Sequence, residues 1–135
     1  MKIKILITII FLSILQSVMA QDSLKMTYPL VVSFESHCCG VPAETSLRSF
    51  ITSYKKKYKI KKLIANRVGP MGREGEYYIA FTLKELNKKQ MRDFISMAKK
   101  IKPLKSDKGA MSFKEYFEID PANVPQRAKA RTVVF

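Results

Sequence analysis

The chain has 135 residues, with 25 Lys and Arg against 11 Asp and Glu, one His, two Cys and no Trp. That length holds one domain and excludes a large multidomain catalytic scaffold. A hydrophobic fraction of 47% excludes a disordered tail, and a formal charge of +14 points to an anionic partner.

Residues 1–20 read as a secretory signal peptide. Lys2 and Lys4 give a short positive start, Ile5 to Leu15 is almost wholly Ile, Leu and Phe, and Val18-Met19-Ala20 offers modest side chains for cleavage. The apolar run is shorter than the ~20 residues that span a bilayer, so no transmembrane segment is expected in the mature chain. The expected location after cleavage near Ala20 is periplasmic or extracellular. Residues 21–119 then form a single α+β domain, and residues 120–135 an extended C-terminal tail.

Leu30-Val31-Val32-Ser33-Phe34 is a β-branched and aromatic run that predicts a buried strand. It leads into Ser36-His37-Cys38-Cys39-Gly40, and Pro42 fits the first turn of a helix. Leu47, Phe50, Ile51, Tyr54 and Tyr58 recur in steps of three and four and make one apolar helical face. Lysines crowd the end of this helix, where they suit the negative pole of its dipole. A more polar strand follows over Lys61 to Val68, then a turn-rich stretch from Gly69 to Gly75, then an apolar strand over Tyr77 to Phe81. Asn87 with Gln90 three residues on, flanked by Leu86 and Met91, predicts a capping box and hydrophobic staple. The helix it opens turns Met91, Phe94, Ile95, Ala98 and Ile101 inward. Met111 to Ile119 fits either a strand or a short helix, and residues 120–135 either add a strand or stay loose.

This order is that of the ferredoxin-like split β-α-β arrangement, an antiparallel sheet with two helices on one face. In it the first and third strands are central and the second and fourth are edges, which suits the charges on Lys61–Val68 and Met111–Ile119. Three connections then meet at one end: Ser36–Gly40, Gly69–Gly75 and Lys102–Gly109.

His37, Cys38 and Cys39 are the one reactive cluster. A Cys near a helix N-terminus has a lowered pKa and is a better nucleophile or soft-metal ligand. The position of this loop is similar to the metal-binding loop of heavy-metal-associated ferredoxin-like domains, which implies a soft metal ion. Those domains use Cys-x-x-Cys, whereas Cys38 and Cys39 are adjacent. Three readings stay open: structural thiols with Cys38 in the core, a vicinal disulfide, or a metal or redox pair. No cofactor is otherwise expected, and no complete nucleophile or acid–base set is present.

The basic clusters are the strongest functional signal. Six of the eight residues from Lys55 to Lys62 are Lys. Lys88, Lys89 and Arg92 open the second helix, where cations oppose its dipole by a few tenths of a kcal/mol or more each. Lys55, Lys59, Lys62, Lys88, Lys89 and Arg92 are therefore anion-contact candidates, and Arg73 in the glycine-rich turn is another. Lipid phosphate, anionic polysaccharide or an acidic protein would suit such a surface. Specific nucleic-acid recognition is not expected, because Gly75-Glu76-Tyr77-Tyr78-Ile79-Ala80-Phe81 lacks the third-strand signature of RNA-recognition modules. The leading expectation is an exported, non-enzymatic basic binding domain, with a thiol-based metal or redox protein as the alternative.

Overall fold

A computed structural model describes residues 25–101 and 108–135. The predicted leader and most of the Lys102–Gly109 connection lie outside the described residues. The elements run β1 (Met26–Ser36), α1 (Thr45–Tyr58), β2 (Ile64–Gly69), β3 (Tyr77–Phe81), α2 (Lys88–Ala98), β4 (Gly109–Ile119), a 3-10 turn (Pro121–Asn123) and β5 (Lys129–Val134). This is an α+β fold: one five-stranded sheet, ordered β4-β1-β3-β2-β5 and antiparallel at every pairing, with two helices.

Period-two alternation decides what each face of the sheet meets. Leu30, Val32 and Phe34 of β1 point to one face and join Leu47, Ile51 and Tyr54 of α1 with Phe94, Ile95 and Ala98 of α2 in the main core. Aromatic contacts tie its layers together. Phe34 stacks on Tyr77 at 4.6 Å, Tyr54 meets Phe94 edge-on at 5.0 Å, and Phe94 lies 5.4 Å from Phe81. Tyr54 also donates its hydroxyl to the carbonyl of Gln90, 2.7 Å away, so a buried polar tip is satisfied between the helices. Burial, reinforced by Tyr58 and Asp93, pushes that phenol up to about 12.

The opposite face carries a smaller cluster of Tyr28, Val31, Val68, Ala80 and Ile119. Tyr28 and Leu30 have the same parity yet join different clusters. The reason lies where β1 pairs with β4: Tyr116 takes φ +47°, between the paired rows Tyr28–Phe117 and Leu30–Glu115. A left-handed residue there breaks the alternation of β4 between Glu115 and Phe117, and across the ladder Tyr28 joins the second cluster while Leu30 stays in the main core.

Of the two readings open for Met111–Ile119, the structure has the strand, at the sheet edge. Two expectations are corrected. Pro42 is not in a helical turn, because α1 begins at Thr45. β2 is not an edge, since β5 pairs with it from Ile64–Val134 to Gly69–Lys129. The tail thus supplies an edge strand, and Phe135 closes it by exchanging two backbone hydrogen bonds with Leu63 and stacking on Phe81 at 5.7 Å. The polar character of β2 reflects one face turned partly to solvent rather than an unpaired edge. At the second helix the expected capping box is present, with Asn87 and Gln90 each accepting the other's backbone N–H.

Candidate functional site

The pairing register sorts the predicted residues between two ends of the molecule. β1 and β2 both pair antiparallel with β3, so they run the same way and finish at the same end. The connections after them, residues 37–44 and 70–76, share that end. Residues 59–63 precede β2 and lie at the other end, a strand length or ~20 Å away.

At the first end His37, Cys38 and Cys39 are all exposed. The backbone N–H groups of His37 and Cys38 both donate to the Lys108 carbonyl, which fastens the loop to the start of β4. Gly109 permits this approach, because a Cβ there would sit 2.0 Å from the Glu35 carbonyl oxygen. Cys39 adopts φ +56° and Gly40 φ +112°, and this reversal swings the Cys39 thiol to donate to the Cys38 sulfur at 2.9 Å. Neither thiol enters the core, so the structural reading of Cys38 as a buried residue is corrected. The expected lowering of a thiol pKa is corrected too. The hydrogen bond from Cys39 pushes Cys38 up, helped by desolvation and by Glu74 from the neighbouring turn, against a lowering by Lys108. The helix start at Thr45 is several residues away and lends no dipole to the pair. Among the described residues no group of three or more His, Cys, Asp and Glu side chains is arranged to hold a metal ion.

At the second end the helices bring the lysines together. Tyr54 and Tyr58 of α1 hydrogen-bond to Gln90 and Asp93 of α2, so the C-terminal turn of α1 lies against the first turns of α2. Lys59 and Lys62, exposed just beyond α1, therefore share this end with Lys88, Lys89 and Arg92, also exposed, Arg92 on the flank of α2 that borders Glu115 and Tyr116; Lys55 is half-buried. None of these six forms an ion pair with a described residue, where the ion-paired cations are Lys25, Arg48, Arg67 and Lys99. A cavity of about 370 Å³ opens here, lined by Tyr58, Lys59, Lys61, Lys62, Glu85 and Gln90. The enclosed Oε2 of Glu85 accepts no hydrogen bond from a described residue. Arg73 does not belong to this group, because its turn is at the thiol end.

Sequence reasoning missed a polar network at the first end. The carboxylate of Glu44, just before α1, makes no capping hydrogen bond to its own helix. It accepts instead from Arg67 Nη1 at 2.6 Å, from the Tyr77 hydroxyl at 2.8 Å and from Arg48 Nη2 at 2.7 Å. The Arg67 guanidinium lies 3.6 Å over the Tyr77 ring. Burial, then the hydrogen bond to Glu44, holds the Tyr77 phenol well above its ordinary value, so it stays a donor. Arg67, Gly69, Pro70, Gly75, Tyr77, Lys129 and Arg131 line a cleft of about 260 Å³ beside this network. The one sequence signal was an arginine inside a predicted strand; its partners come from the start of α1, 23 residues earlier, and from the neighbouring strand β3.

Comparison with family models, curated proteins and solved structures finds no match. Among the described residues no helix is long and apolar enough to cross a membrane.

Proposed function

We propose that this protein is an exported, non-enzymatic binding domain that contacts an anionic surface through its lysine end, on a ferredoxin-like split β-α-β core extended by β5. The observation that carries the reading is the gathering of Lys59 and Lys62 with Lys88, Lys89 and Arg92 at one exposed end, without an ion pair to any described residue. Lys88 and Lys89 stand at the positive end of α2, where they oppose its dipole. A fold that tolerates this arrangement suits a partner that supplies the missing negative charge. Lipid phosphates and acidic polysaccharides have that chemistry, and many weak contacts of this kind are screened beyond about 10 Å at 0.1 M salt. The test is retention on phosphatidylglycerol vesicles and on heparin, each at low and high salt. Retention should fall steeply with salt and be lost in the Lys59/Lys62/Lys88/Lys89→Ala variant. Salt-independent retention, or retention by that variant equal to the parent chain, overturns the reading.

The exposed thiol pair favours a second reading, a soft-metal or redox site at Cys38 and Cys39, because the two sulfurs lie 2.9 Å apart. Disulfide closure would pass two electrons and two protons to an external disulfide oxidant. Thiol titration with and without Cu(I) or Zn(II) separates it from the first reading. Protection of both thiols by metal supports it; slow thiol labelling, no metal uptake and no disulfide together refute it.

A further inference from the structure

We infer that the cleft over the paired ends of β2 and β5 binds a small phosphate-bearing ligand through Arg67, Arg131 and Lys129. The argument begins with register. Arg67 and Arg131 are direct partners across the β2–β5 ladder, and Lys129 faces Gly69 two residues along the same face. Like charges placed opposite each other on antiparallel strands are destabilising. Local compensation is incomplete: among the described residues Glu44 is the one carboxylate paired with this network, and it already serves both Arg67 and Arg48. Arg131 and Lys129 form no ion pair with any described residue.

The cleft is also shaped for a ligand. Its volume of about 260 Å³ lies just below the ~300–1,000 Å³ of pockets for drug-sized molecules, so a small group fits. Gly69 and Gly75 bring backbone without side chains to its rim, and Gly75 needs this freedom at φ +85°. Arg67 is held in advance. It is stacked on Tyr77, which is itself stacked on Phe34 and tied to Glu44. A guanidinium fixed in this way loses little freedom on binding and presents a planar fork suited to phosphate oxygens. Three cations lining the cleft, with one shared carboxylate beside it, favour a dianion over a monoanion.

This site is at the opposite end from the lysines, so the two can be tested apart. Inorganic phosphate is titrated into the full chain by calorimetry at constant ionic strength, with chloride as the reference anion. Saturable binding of phosphate is expected, weakened at least about tenfold in Arg131→Ala and partly retained in Arg131→Lys, which keeps charge but loses the fork. The Lys59/Lys62/Lys88/Lys89→Ala variant should bind phosphate as the parent does, even if it no longer binds vesicles or heparin. Phosphate binding equal to chloride, or unaltered in Arg131→Ala, overturns the inference. A lipid source is separated from a soluble one by vesicles. If the phosphate belongs to a headgroup, Arg131→Ala also loses vesicles containing phosphatidic acid, a phosphomonoester, and free phosphate competes with them; if it belongs to a soluble ligand, binding to those vesicles is unchanged. Loss of phosphate binding in Arg131→Ala supports the site in both arms.

Discussion

The two ends of this molecule are both cationic but are built differently. At the lysine end Lys59, Lys62, Lys88, Lys89 and Arg92 project without an ion pair to any described residue. At the other end Arg67 is held by a carboxylate, an aromatic face and a strand register. Flexible, solvated ammonium groups suit a broad surface whose charges need no fixed geometry. A stacked guanidinium in a cleft suits one small ligand. Charge alone therefore does not identify a site; the number of constraints on each cation does.

The largest expected effect separates the ends by stability. Glu44→Ala strips three donors of one shared acceptor, two of them charged, and should destabilise by about 2–3 kcal/mol in urea unfolding. The four lysine substitutions at the other end should each stay within about 0.5 kcal/mol. Equal losses at both ends would break the comparison.

Gly109→Ala probes how the thiol loop is fastened. A Cβ at 2.0 Å from the Glu35 carbonyl must push β4 from β1, at a cost of about 1–3 kcal/mol. Hydrogen exchange should rise first at His37 and Cys38, whose N–H groups bond to Lys108. Protection unchanged there would show that the loop is held by something other than this close approach.

A smaller loss is expected at the start of α2. Asn87→Ala removes the capping oxygen from the Gln90 N–H and should cost about 1 kcal/mol by thermal unfolding. The adjacent change in the opposite direction, Lys88→Glu with Lys89→Glu, should stabilise by a few tenths of a kcal/mol per site at low salt while abolishing anionic retention. A gain in stability together with unchanged retention would detach the helix start from the binding end.

The smallest effect is confined to alkaline pH, where the phenol between the two helices titrates. Tyr54 is raised from its ordinary value of 10 to about 12, so folding favours its protonated form. Its contribution is complete below pH 10 and is lost as the pH rises from 10 to about 12. Tyr54→Phe should flatten that part of the stability profile, measured by denaturant unfolding across the range.

The elements themselves were legible in the order of residues. Leu47, Ile51 and Tyr54 in α1 and Phe94, Ile95 and Ala98 in α2 are buried as their spacing requires. Asn87 and Gln90 announced their cap because both partners lie within one helical turn. Partnership across the sheet was not legible. Nothing near Lys61–Val68 shows that residues 129–134 will cover that strand, and a charged strand reads equally well as an edge. The thiols mislead for a related reason: Cys38 would continue the inward face of Val32 and Phe34 only in extended backbone, but β1 ends at Ser36 and both cysteines are exposed in the turn that follows.

Charge, helical faces and the helix cap were thus determined by the sequence alone, because each depends on neighbours within a few residues. Only the tertiary structure decided that Arg67 would face Arg131, that Glu44 would reach from α1 to Arg67 and Tyr77, and that Arg73 would part from the lysines. Those outcomes depend on strand register and direction. Register is set by packing summed over whole faces of the sheet, and no local stretch of residues contains it.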